Sequence, residues 1–156
     1  MDAHPRYGRV VTEVQRLITK LDLSPHPEGG WFRETWRAPP SISGGRDAAT
    51  TILFLLDQGQ KSHWHRVDAA ELWLFHAGSP IMLRIAESDD ADIREYRLGA
   101  DVLAGQVPQH LVRPGQWQAA KASEGWSLVA CVVVPGFSFD GFELAPPEWR
   151  PGLKAG

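Results

Sequence analysis

The sequence predicts an all-β domain, a mostly antiparallel β-barrel with one helix at its N-terminal end. Three observations carry that reading. Fifteen glycines and twelve prolines cut the chain into short apolar segments, the pattern of many strands joined by turns. Only one stretch repeats its apolar residues at helical spacing. The length of 156 residues suits one core and is too short for two ordinary domains.

The helix is expected from Arg6 to Lys20, where Tyr7, Val10, Val11, Val14, Leu17, Ile18 and Leu21 recur at helical spacing with charged residues between them. Residues 1–22 are therefore read as a helical segment lying on the outside of the barrel. Beyond SPHPEGG the period changes. The expected strands are Trp31–Arg37, Thr50–Asp57, Ser62–Val67, Glu71–Ala77, Ile81–Ala86, Ile93–Leu98, Gln109–Val112, Trp117–Lys121, Trp126–Val134 and Gly141–Leu144. Together they make a barrel over residues 23–148. PPSISGGRDAA reads as a polar surface loop and ESDDAD as a solvated acidic turn. Residues 149–156 read as an extended tail docked through Trp149.

Composition narrows the function. With 43% hydrophobic and 22% charged residues the chain is globular. A net charge of −3 gives no electrostatic pull toward nucleic acid or an anionic membrane, so neither is expected as a partner. No apolar run approaches the roughly 18–20 residues that span a bilayer, and MDAHPRYGRV lacks the apolar stretch of a secretory signal. The lone cysteine, Cys131, sits in the apolar run SLVACVVV. It is read as a small buried hydrophobe in a reducing cytoplasm. Seven tryptophans point either to a small-molecule pocket or to a well-filled core.

The chemistry concentrates between Gly59 and Gly78, GQKSHWHRVDAAELWLFHAG. Side chains alternate along a strand, so His63, His65 and Val67 are expected on one face, and Glu71, Trp73 and Phe75 on one face of the next strand. If both faces point into the barrel, an imidazole meets a carboxylate in an aromatic-walled cavity. A carboxylate there is costly unless paired; the alternative places Glu71 exposed at a strand end.

This stretch resembles the first motif of the cupin superfamily. Gly59, five residues, His65, one residue, Val67, three residues, Glu71, six residues and Gly78 reproduce its frame, with Val67 in place of the second histidine. The second motif is similar to Arg113-Pro114-Gly115-Gln116-Trp117-Gln118, with Gln118 where a metal-binding histidine is usual. HPEGGWFRETWR, SHWHRVDAAELWLFHAGSP, PQHLVRPGQWQAA and CVVVPGFSFDGFELA resemble one small single-domain branch of uncharacterised function. The resemblance covers residues 20 to 147 or so. It implies a double-stranded β-helix, the cupin jelly roll, and a homodimer.

A catalytic transition metal wants three or four imidazole or carboxylate ligands. Mapped on the cupin frame, this chain keeps His65 and Glu71 and offers Gln118 as a weak third. No metal cofactor is expected, beyond a weakly held divalent ion at His65 and Glu71 with His63 or Gln118. Without a metal, His65 and Glu71 become an acid–base pair, the carboxylate fixing the imidazole. Glu28-Gly29-Gly30-Trp31-Phe32-Arg33-Glu34 is similar to a segment of metal-free sugar-nucleotide epimerases of the cupin fold, with Gly29 in place of their arginine. Glu28 and Arg33 are thus candidate ligand-binding residues, although Arg33 and Glu34 alternate and only one can face a pocket. The same parity governs Gln109 and His110, where the resemblance favours Gln109. His63, Gln118, Trp73 and Trp117 complete the candidate ligand contacts, the tryptophans as flat walls or as core. His26 is placed at the pocket rim, while His4 and His76 are read as structural or solvated. The sequence thus implies a small-molecule ligand and a metal-independent isomerase or epimerase acting on a sugar-like or nucleotide-linked substrate. A non-catalytic binding module for a nucleotide, nucleobase or sugar is the first alternative, and a metal-dependent cupin enzyme the second.

Overall fold

The structure, a computed structural model, describes residues 10–153. Helix α1 spans Glu13–Leu21, starting later than the periodicity implied. Thr12 stops it: its side chain accepts from the Gln15 N–H while Gln15 Oε1 accepts from the Thr12 N–H, a capping box that fixes the first turn. Val10 and Val11, in phase with the helix, are exposed, and Tyr7 lies outside the described residues. Val14, Leu17, Ile18 and Leu21 pack on Leu23, Leu53, Leu55 and Leu128, so the helix covers the outer face of one sheet. Among the described residues no helix is long and apolar enough to cross a membrane.

The strands follow in chain order as β1 (Ser24–Pro25), β2 (Trp31–Ala38), β3 (Ala49–Leu56), β4 (Lys61–Val67), β5 (Ala70–Gly78), β6 (Ile81–Ala86), β7 (Arg94–Leu98), β8 (Gln109–Val112), β9 (Trp117–Lys121), β10 (Ser127–Val134) and β11 (Phe142–Leu144). Apart from the two-residue β1, each falls on a segment expected from the Gly/Pro punctuation. They form a six-stranded sheet in the order β1-β2-β3-β10-β5-β8 and a five-stranded sheet in the order β11-β4-β9-β6-β7. The named strands within each sheet pair antiparallel, and the two sheets close on one another as a double-stranded β-helix.

Alternation decides what fills the space between the sheets. On β3, Phe54 and Leu56 join the inner core while Leu53 and Leu55 sit under α1. Phe54, Trp73, Leu83, Ile85, Val112 and Val129 belong to one buried cluster, which plugs one part of the barrel. The outer face of the five-stranded sheet carries a second cluster of Trp64, Ala86, Trp117, Ala119 and Ala145. Trp149 packs on it, its ring centroid 4.4 Å from that of Trp117.

Candidate functional site

The part of the barrel the core leaves free holds a cavity of about 470 Å³. Its buried floor carries Glu28, His65 and Glu71, and its walls His26, Phe32, Ile52, Val67, Val133 and Phe142. Exposed residues from three segments form the mouth: Glu34 and Arg37 from β2, Gly45 and Arg46 from the loop before β3, and Phe139 from the turn before β11.

A bulge positions His65. Opposite β9, Ser62 pairs with Ala120 and His65 with Gln118, so three steps on β4 match two on β9. The extra residue breaks the alternation. Ser62 and His65 are both buried, whereas His63 turns away and places Nε2 2.8 Å from the Pro146 carbonyl. His63 is therefore not a companion of His65 on the pocket face.

Glu28 arrives on a tight turn. The His26 N–H donates to the Gly30 carbonyl, the Gly29 N–H to the His26 carbonyl, and the His63 N–H to the Glu28 carbonyl at 2.8 Å. Gly29 takes a left-handed φ of 106°, and a Cβ there would run into the Lys61 backbone carbonyl. Only glycine lets the turn lie this close to β4, and that approach brings Glu28 to His65. The Ser62 hydroxyl, buried beside Glu28, has no partner in hydrogen-bonding geometry.

The hydrogen bonds fix the tautomers. His65 Nδ1 stands 2.7 Å from the His63 carbonyl, which can only accept, so Nδ1 carries a proton. Nε2 then faces Glu28 Oε2 at 3.1 Å. A neutral ring presents a lone pair there, so the contact is attractive only with a proton between the two atoms. Burial lowers the His65 pKa and raises that of Glu28 to about 7. The geometry thus lets the two groups share a single proton between Nε2 and Oε2. His26 Nδ1 accepts from the Glu28 N–H at 3.2 Å, which keeps that ring in its neutral, Nε2-protonated form, and burial lowers its pKa too.

Glu71 is bound differently. It accepts from Gln118 Nε2 at 2.8 Å, and Gln118 Oε1 in turn accepts from Trp73 Nε1 at 2.7 Å. Burial raises the Glu71 pKa, and the nearby His65 opposes that shift. The carboxylate in contact with His65 is Glu28; Glu71, expected as its partner, acts on the ring only through its field.

Several candidate contacts lie elsewhere. Trp73 is fully buried in the core and lines no part of the cavity. Trp117 points outward, holding Asp89 through Nε1 and lying under the Arg66 guanidinium. On β2 both residues are exposed, and Glu34 rather than Arg33 lines the cavity. On β8 the parity favours His110, which stacks on Tyr96 at 3.9 Å, and Gln109 is the exposed one. Gln118 lies beneath the floor as a support for Glu71. Among the cavity-lining residues that the sequence does not single out are Phe142, Phe137 and Thr50. Only CVVVPGFSFDGF, apolar on both sides of its turn, hinted at the two phenylalanines.

The donors do not fit a metal ion. Among the described residues no group of three or more His, Cys, Asp or Glu side chains is arranged to hold one. Trp73 offers only a donor, so Gln118 must turn its oxygen to the indole and its NH₂ to Glu71. The weak third ligand is thus spent within the protein, and Val67 supplies no donor at the second histidine position.

Residues 15–145 match the family Cupin_5, described as cupin superfamily (DUF985). A structure of protein SO0799 from Shewanella oneidensis is 38% identical, with a TM-score of 0.79 over 86% of this chain and 85% of that one. A hypothetical protein from Leishmania major is 34% identical, with a TM-score of 0.76 over 85% and 86% of the two chains. The uncharacterized protein YML079W of Saccharomyces cerevisiae is 25% identical over 149 residues, 83% of this chain and 73% of its own length.

Proposed function

The chain belongs to the Cupin_5 family of the cupin superfamily, and from that premise we propose that it is a metal-independent isomerase or epimerase moving a proton on a small sugar-like substrate. The observation that carries this reading is the 3.1 Å contact between His65 Nε2 and Glu28 Oε2 on the floor of the cavity, with Nδ1 already committed to the His63 carbonyl.

A base for abstracting a proton next to a carbonyl works best when its pKa lies near the working pH. Above neutrality the Glu28–His65 unit lacks its shared proton and carries one negative charge. It takes a proton from a substrate carbon and holds it between Nε2 and Oε2, while the electron pair of the broken C–H bond moves onto the carbonyl oxygen. Returning the proton to the former carbonyl carbon, as the adjacent hydroxyl passes its own proton to the enolate oxygen, gives an isomer, and returning it to the same carbon after the enolate has turned over its face gives an epimer. Both outcomes conserve protons and electrons and need no cofactor.

The cavity supports a ring-sized substrate held against apolar walls. A floor of carboxyl and imidazole groups is unsuited to phosphate. A nucleotide-linked substrate would place its anionic part at the mouth, where Arg37 and Arg46 stand.

The test is solvent exchange. Incubated in D₂O with a panel of aldoses, ketoses and keto acids, the protein is expected to introduce deuterium at the carbon beside the carbonyl of its substrate, before and after dialysis against a chelator. Glu28→Gln and His65→Ala are each expected to slow exchange by about 10²–10⁴ while remaining folded by circular dichroism. Tight binding of a sugar with no exchange at any carbon would instead support the non-catalytic binding module.

A further inference from the structure

We infer that the ligand of this cavity carries an ammonium group, seated on Glu71 against the phenylalanine wall, which makes the substrate class an amino sugar or related amino-carbonyl compound. The inference rests on the cavity being the substrate site proposed above and adds what the substrate must bear.

The argument starts with what holds Glu71. Gln118 donates to it from within the protein, and Trp73 prevents Gln118 from presenting its oxygen instead. Burial raises the Glu71 pKa and the Gln118 donor opposes that shift, so a cation seated at its free oxygen would hold the carboxylate ionised. A carboxylate accepts at about four lone-pair positions, so one donor leaves acceptor capacity on a group that lines the cavity.

What is missing is a positive charge. No Lys or Arg among the described residues pairs with Glu71, nor with Glu28. The two arginines that line the cavity turn elsewhere, Arg37 to Glu34 and Asp47 and Arg46 to Asp68. A buried carboxylate without a counter-ion is costly, and a ligand cation would offset that cost on binding. Facing the floor, Phe142 lies 5.6 Å from His65 and 5.7 Å from Phe137, and Phe32 lies 4.6 Å from His26 on the other side. These rings and the Glu71 carboxylate line the same cavity, and aromatic faces with a carboxylate in one cavity form a setting in which proteins take up ammonium groups. Sugar hydroxyls alone would satisfy the oxygens of Glu71 but supply no charge to offset the cost of ionising it.

The experiment is calorimetric titration at pH 7.5 with D-glucosamine, N-acetyl-D-glucosamine, D-glucose and glucose 6-phosphate. Glucosamine is expected to bind about tenfold tighter than either neutral sugar, the equivalent of one desolvated cation–π and carboxylate contact. Glu71→Gln is expected to abolish that preference. Should Glu71→Gln fail to fold, Phe142→Leu, which keeps the apolar wall and removes the π face, is expected to reduce the preference about threefold. Equal or tighter binding of a neutral sugar, binding of the phosphorylated sugar alone, no binding by any of the four, or a preference that survives both variants would overturn the inference. Deuterium exchange separates it from the proton-transfer reading. Glucosamine bound without exchange leaves the ammonium site standing and removes the enzyme. Exchange confined to a neutral sugar does the reverse.

Discussion

Trp73 Nε1 donates to Gln118 Oε1 at 2.7 Å, and that bond decides what Gln118 offers to Glu71. An indole can only donate, so the amide has one orientation, with its NH₂ toward the carboxylate. A residue chosen as a ligand wall is the anchor of the cavity floor, acting from inside the core.

Trp73→Phe removes the indole N–H and leaves Gln118 Oε1 buried without a donor. The expected loss is about 2–4 kcal/mol, combining an unsatisfied oxygen with the volume lost from a closely packed core. Gln118→Leu alone and the double variant complete a cycle in urea denaturation. A coupling of about 1–2 kcal/mol is expected for residues sharing one bond, and strict additivity would show that the bond does not hold the floor.

Glu28 ties stability to pH. Its folded pKa of about 7 lies above the ordinary 4.5, so the folded protein holds that proton more tightly than the unfolded chain does. Its contribution is full below pH 4.5 and is lost as pH rises toward and through 7, on the order of 3 kcal/mol over that window. His26 and His65, with lowered pKa values, contribute in the opposite sense: full stability above pH 6.5, lost as pH falls. The measurement is therefore the difference between Glu28→Gln and the parent protein. The variant should gain relative stability as pH increases from 4.5 to 7.5. A difference that stays flat would mean that Glu28 is not held protonated by burial.

Much of the barrel was legible because Gly and Pro mark strand ends whatever the tertiary contacts. The two-residue β1 escaped because Ser24 and Pro25 are strand only through pairing with Phe32 and Trp31. The inward placement of His65 and Glu71 followed from alternation and the cupin frame. Alternation failed at His63, where the β4 bulge adds a residue that no period-2 count can detect. The choices between Arg33 and Glu34 and between Gln109 and His110 are one-residue parities. Packing against neighbours settles them: His110 is turned inward by its stack on Tyr96. The late start of α1 was written in the sequence as Thr12-x-x-Gln15, a cap that the apolar periodicity of Val10 and Val11 masked.

Gly29 and Gly59 share a left-handed backbone but differ in surroundings. A Cβ at Gly59 meets nothing within 4 Å, whereas one at Gly29 strikes the Lys61 backbone carbonyl. Gly59→Ala is expected to cost about 1–2 kcal/mol, the conformational penalty alone. Gly29→Ala adds a backbone collision and should cost at least about 1–2 kcal/mol more, and it should also push Glu28 away from His65. Denaturant midpoints give the energies, and histidine NMR titration reports the Glu28–His65 contact. Equal costs for the two variants would mean that the turn yields freely and does not fix Glu28.

The donor set also makes a prediction about metal. In the cupin frame the positions of the two missing histidines are Val67, which lines the cavity, and Gln118, which contacts Glu71. Gln118→His provides one imidazole and releases Trp73, but leaves three candidate donors, one of which, His65, is engaged by Glu28. Val67→His likewise adds only one. The double variant Val67→His/Gln118→His assembles three imidazoles and the Glu71 carboxylate, the ligand number and type that divalent first-row metals prefer. Purified in the presence of manganese, nickel or zinc and then desalted, the double variant is expected to retain close to one ion per chain by elemental analysis. The parent and each single variant are expected to retain far less. Binding should also raise the melting temperature of the double variant alone, since a ligand held by the folded state stabilises it. Stoichiometric metal on the parent protein would show that Glu28, His65 and Glu71 rearrange into a site, and the proton shared between Glu28 and His65 would then no longer describe the working centre.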